Sequence, residues 1–168
     1  ISEDLKKSIL AVKADWQNDA YELNRLTNYC GKWIHHSAWY PDKKLRLFDR
    51  RKGKWGGNNP HDKYLPETGA KVGFLKGDLL HYSYYTKKEH LNQIEKFSTI
   101  GAKALFEKGK KSSYFKMTYK ALARFIKAFI IYRGFLDGKA GFTIATYSAY
   151  SNWLKYKKLM QFQKGGNL

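Results

Sequence analysis

Cysteine and carboxylates are scarce in this chain, and long apolar runs are absent. A single cysteine, Cys30, excludes a disulfide framework and any zinc site built on thiolates; a reducing, cytosolic setting is the simplest expectation. Only 14 acidic residues stand against 32 basic ones, for a net charge of +18. A field of that sign attracts anions: nucleic acid, acidic lipid headgroups or phosphorylated substrates. No apolar run approaches the roughly 20 residues that a bilayer-crossing helix needs, because Lys127 and Arg133 interrupt the best candidate. The chain opens on Ile1 without a methionine or a signal-peptide pattern, and we read it as a piece of a longer protein. Apolar and aromatic residues make up 43% and 17% of the chain, enough to exclude disorder and to build a core at this length.

Strand and helix signals separate near Thr86. Ser2 followed by Glu3 and Asp4 predicts a capped helix over 3–15. "YELNRLTNYCGKWI" and "KLRLFDR" alternate polar and apolar residues, as half-buried strands do. Lys52-Gly53 predicts a turn into a return strand beginning at "KWGG", and "LLHYSY" a short strand after Gly77-Asp78. Beyond Thr86 the period lengthens. "KKEHLNQIEKFSTIGAKALFEKG" is amphipathic and ends on Gly109. In "YKALARFIKAFIIYRG" the cations Lys120, Arg124 and Lys127 share one stripe, opposite Leu122, Phe125, Ile126, Phe129 and Ile130. "GFLDGKAG" ends that helix at Gly134 and starts the next at Asp137. That helix lines Phe142, Ala149, Trp153, Tyr156 and Met160 along one side. The expected fold is α+β, an N-terminal helix and a small, mostly antiparallel strand set over 1–85, then three amphipathic helices over 86–168.

One long stretch, "NRLTNYCGKWIHHSAWYPDKKLRLFDRRKGKWGGNNPHDKY", resembles the second half of a family 2 glycosyltransferase. The subgroup it is most similar to is the lipopolysaccharide-core β-glycosyltransferases. The resemblance lies in "G-x-W-I-x-H-S-x-W-Y-P-D" at Gly31 to Asp42, "R-L-F" at Arg46 to Phe48, Trp55-Gly56 and the His61-Asp62 pair. "LLHYSY" and "GFLDGKAGF" continue it, so that it covers Asn24 to about Lys158. The resemblance implies a GT-A fold whose first half binds a sugar-nucleotide donor and a divalent metal, Mg or Mn, through an Asp-x-Asp motif. No Asp-x-Asp occurs here. The chain is therefore expected to be the acceptor-side portion, without bound cofactor and inactive alone.

By the same resemblance, Asp62 is the candidate base that takes the proton of an acceptor hydroxyl. From its surroundings alone, Asp62 is as readily a turn-capping residue before "KYLPE". His61 and His81 are the candidates for completing a metal site, against the plainer reading of structural histidines. His35 and His36 are adjacent, would face opposite sides of a strand, and make a poor ligand pair. Arg46, Arg50, Arg51, Lys52 and Lys54 form the densest basic patch, fit either to hold donor or acceptor phosphate or to keep an edge soluble. Trp33, Trp39 and Trp55 are candidate platforms for sugar rings, or core residues.

The stripe of Lys120, Arg124 and Lys127 opposite large apolar residues fits a helix lying on an anionic membrane, or one packing that face into the core. The resemblance implies a lipid-linked glycan acceptor and a place on the cytoplasmic face of a bacterial inner membrane. Two other classes compete: a nucleic-acid-binding module and a non-catalytic membrane adaptor. No RNP, KH or zinc-knuckle pattern supports the first, and the carboxylates read as scattered rather than segregated. A truncated sheet would also invite swapping with a second copy.

Overall fold

The computed structural model describes residues 1–56 and 63–165. The architecture is α+β, with an N-terminal helix, a small antiparallel strand set and C-terminal helices. The sequence placed one cut at 85/86. By contacts the fold gathers into two compact units, Ile1–Thr27 with Tyr40–His81, and Asn28–Trp39 with Tyr82–Leu168.

In the first unit α1 (Glu3–Ala14) begins at Ser2, whose hydroxyl accepts from the Leu5 amide. Strand β1 (Ala20–Tyr29) pairs antiparallel with β3 (Lys43–Phe48), with a register shift between Tyr21 and Glu22. The sheet order is β2-β1-β3, where β2 is Lys32–Ile34, and β6 also pairs with β1. Leu5, Tyr21, Leu23 and Leu75 form the buried core, flanked by Ile9, Val12, Leu47 and Leu79. Burial of each such side chain contributes about 1.5–3 kcal/mol before entropy is counted.

Strand β6 (Val72–Tyr84) corrects the sequence reading, which began a short strand only after Gly77-Asp78. The glycine marks a close approach instead of a turn. At Gly77, φ is +101°, and a Cβ there would sit 2.7 Å from Leu5 Cα. The backbone of α1 lies directly on the strand. Ser2 N donates to the Asp78 carbonyl at 2.9 Å, Asp78 N to Ser2 Oγ at 2.9 Å, and Ser8 Oγ to the Lys76 carbonyl at 2.9 Å. A second correction concerns β4 (Gly53–Gly56). Its partner is β5 (Lys63–Pro66), a strand the sequence reading missed, and the two make a separate two-stranded sheet.

The second unit is built on helices. Thr86 and Glu89 form a reciprocal capping box that starts α2 (Lys87–Glu107). Helix α3 (Tyr114–Ile126) runs into a π-helical turn (Lys127–Ile131) and a 3-10 turn (Gly134–Asp137) before α4 (Gly138–Gln163), which packs on both α2 and α3. Arg133, with φ +51°, takes the left-handed position expected of Gly134. Gly134 is needed for room: a Cβ on it would lie 2.7 Å from both the Ala128 carbonyl and Ser37 Oγ. Tyr29, Ile34 and Ile144 form this unit's buried cluster.

Candidate functional site

A concavity in the second unit opens between facing stretches of α2 and α4. On α4 its lining is Tyr147, Ser148, Ser151, Asn152 and Lys155, one helical face; on α2 it is His90, Gln93, Ile94 and Phe97. Trp39, Tyr84 and Arg124 complete it, around a volume of about 480 Å³.

The loop that carries Trp39 is held by one carboxylate. Asp137 occupies the N-cap position of α4, yet its side chain makes no cap bond to that helix. Its oxygens accept instead from His35 N at 3.2 Å, His36 N at 3.0 Å and Ser37 Oγ at 3.4 Å, and lie 3.1 Å from His36 Nδ1. The Lys32 ammonium donates to the Asp137 carbonyl at 2.6 Å. Ser37 and Ala38 have φ of +62° and +63°, a conformation that costs a side-chain-bearing residue about 1–2 kcal/mol. A buried carboxylate collecting four donors offsets that strain. His35 and His36 thus follow β2 in a loop, and what they share is an anion.

His90 sits in an aromatic cage. Its ring stacks on Tyr84 at 4.4 Å and meets Tyr29 and Tyr147 edge-on, and its Nδ1 is 3.1 Å from the Tyr29 hydroxyl. Burial pushes its pKa down to about 4, so the imidazole is neutral at pH 7. The Tyr29 hydroxyl is pushed upward, by burial first. Lys155 is lowered by burial and then by Arg124 and Lys120. The arrangement offers aromatic faces, neutral hydroxyl and amide groups, and cations without a carboxylate in the lining.

The sequence-predicted residues divide between the units. Trp39 lines the cavity, as does Arg124, which was grouped with the membrane-facing cations. Trp33 packs edge-on against Tyr82 at 5.3 Å. In the first unit Trp55 is 59% exposed beside the stacked Phe48 and Tyr64 rings. Arg46, Arg50, Lys52 and Lys54 are exposed. Arg51 is committed to Asp49, with Nη2 2.6 Å from Oδ2, and holds that carboxyl down at about 2. His81 lies on β6, its pKa lowered by burial and then by Arg25, whose own partner is Asp42 at 2.6 Å. Asp62 and His61 lie outside the described residues. Among the described residues no group of three or more His, Cys, Asp or Glu converges on a metal position.

The sequence reading missed His90, Tyr147 and Lys155. It also missed the split of the α3 apolar face. Phe125 and Phe129 stack on each other at 5.4 Å and meet Phe142 edge-on. Phe115, Tyr119, Leu122, Ile126 and Ile130 form an exposed stripe, with Phe115 81%, Leu122 59% and Ile130 54% accessible. No helix among the described residues is long and apolar enough to cross a membrane.

The cavity thus joins aromatic faces, neutral polar side chains and two cations within an α+β fold. Comparison with known proteins finds similar chains. The chain is 26% identical to an uncharacterized glycosyltransferase of Rickettsia typhi, aligned over 96% of its own length and 59% of the relative's. It is 28% identical to one of Rickettsia prowazekii, over 95% and 58%, and 32% identical to one of Rickettsia felis, over 96% and 60%. The chain thus spans about 60% of the length of the curated relatives it matches. No protein-family model and no solved structure matches it.

Proposed function

We propose that this chain is the acceptor-side portion of an inverting, sugar-nucleotide-dependent glycosyltransferase of GT-A type, acting on lipopolysaccharide or a related lipid-linked glycan. The observation that carries this reading is the alignment of nearly the whole chain with relatives named glycosyltransferases. In it, Asp62 accepts the proton of the acceptor hydroxyl as that oxygen attacks the anomeric carbon. The departing diphosphate takes its countercharge from Arg46, Arg50 and Lys54. In this reading the divalent metal, Mg or Mn, would be held by the donor-side portion and would supply further countercharge to the departing diphosphate.

Docking to an anionic membrane is part of the same reading. The scatter of carboxylates ends at Glu107: from Lys108 to Leu168 there are thirteen lysines and arginines and one carboxylate, Asp137, and that one is buried. An exposed apolar stripe on a surface of one charge sign suits acidic headgroups.

The test is sugar transfer by the full-length protein onto truncated lipopolysaccharide in vesicles, with Mg or Mn present. Asp62→Asn should keep the fold and donor binding and lose about 10²-fold or more in rate. Normal transfer by the variant removes Asp62 as base. No transfer from any common sugar nucleotide refutes the enzyme reading.

A further inference from the structure

Ser148 and Ser151 stand where a tightly packed helix pair would place large side chains, and the gap they leave is the cavity between α2 and α4. Its volume of about 480 Å³ is in the range of small-molecule sites. Two cations reach it, Arg124 from α3 and Lys155 from α4. Among the described residues neither pairs with a carboxylate. Lys120 adds a third positive charge near Lys155, and its carbonyl accepts from Asn152 Nδ2 at 3.2 Å, tying α3 to the cavity wall. Gly101 leaves room for the Lys155 stem: a Cβ there would lie 3.0 Å from Lys155 Cδ. Like charges gathered in a half-buried site with no counter-ion leave an anion as the missing partner. The remaining groups fit a sugar. Gln93, Ser148, Ser151 and Asn152 can exchange hydrogen bonds with hydroxyls, and Trp39 presents an apolar ring to C–H faces.

We propose that this cavity binds a saccharide carrying a phosphate group, with Arg124 and Lys155 on the phosphate and Trp39 against the sugar ring. The proposal deepens the glycosyltransferase reading by giving the acceptor side a phosphosugar subsite, although binding itself does not depend on transfer. Calorimetric titration of the full-length protein with glucose 6-phosphate, glucose and UDP tests it. Glucose 6-phosphate binds at least about 10-fold more tightly than glucose, and Lys155→Gln and Arg124→Gln each weaken it by about 10-fold or more. Ser151→Leu fills the cavity without touching either charge, and abolishes glucose 6-phosphate binding while the melting temperature holds or rises. Equal affinity for glucose and glucose 6-phosphate, or unchanged binding in Lys155→Gln and Ser151→Leu, overturns the proposal. A UDP affinity that Lys155→Gln lowers assigns the cavity to a nucleotide and overturns it as well. The two readings fail separately. Phosphosugar binding without any transfer refutes the enzyme and keeps this site. Transfer with an unchanged KM in Ser151→Leu refutes the site and keeps the enzyme.

Discussion

Asp137→Ala deletes an acceptor on which four hydrogen bonds converge. The two backbone bonds, from His35 N at 3.2 Å and His36 N at 3.0 Å, carry most of the effect. The Ser37 hydroxyl contact is long at 3.4 Å, and the His36 side chain is 32% exposed, so both are discounted. Two bonds to a buried charged acceptor are together worth about 3–5 kcal/mol. Ser37 N stays bonded to the Tyr132 carbonyl at 3.0 Å, so relaxation is confined to the left-handed Ala38 and returns roughly 1–2 kcal/mol of that. The net loss is then about 3 kcal/mol, or a fall of roughly 6–12 °C in melting temperature for a chain of this size. Asp137→Asn keeps one carbonyl acceptor and loses about half as much. Urea unfolding followed by circular dichroism gives the stability, and tryptophan fluorescence reports Trp39 leaving its place in the cavity. A loss below 1 kcal/mol in the alanine variant, or an unmoved Trp39 signal, refutes the claim that Asp137 holds the loop.

Three further outcomes are expected. His90 has a folded pKa of about 4 against an ordinary 6.5, so the unfolded chain binds the extra proton between those values. Stability therefore falls by roughly 3 kcal/mol as pH drops from 6.5 to 4, and His90→Gln flattens that part of a urea-midpoint profile. Lys155 is also depressed below its ordinary 10.5, and it is its charged form that folding disfavours. Lys155→Met is then more stable than wild type at pH 7, and the gap closes as pH rises toward 10.5; a gap that widens contradicts the assignment. Gly77→Ala combines left-handed strain with a clash against Leu5, and should cost about 3 kcal/mol by chemical denaturation.

The helices were legible because their periods and caps are local: Ser2 and the amphipathic run after Thr86 sufficed. Strand β6 was less so, because a glycine between polar residues signals a turn until the helix backbone against it is known. Strand β5 ends on Pro66, which reads as a strand breaker; in a two-stranded sheet a proline at the strand end is tolerated. The cavity draws on 39, 84–97, 124 and 147–155, segments whose convergence no local pattern encodes. Two signals were nevertheless present in the sequence. Asp137 is the lone carboxylate after Glu107, and Ser148, Ser151, Asn152 and Lys155 recur at helical spacing. The α3 stripe was read with the right period, and only burial divides its members into Phe125 and Phe129 on one side and Leu122, Ile126 and Ile130 on the other.

The docking of α1 on β6 bears on how the chain must be made. Leu5, Ile9 and Val12 share a core with Leu75 and Leu79, so their cover is complete only when both have been synthesised. At ordinary elongation rates that interval is on the order of 4–14 s. Throughout it the helix keeps part of its apolar face uncovered, while residues 28–39, which belong to the other unit, emerge in between. The first unit therefore cannot close vectorially, and α1 waits on β6 for the last of its cover.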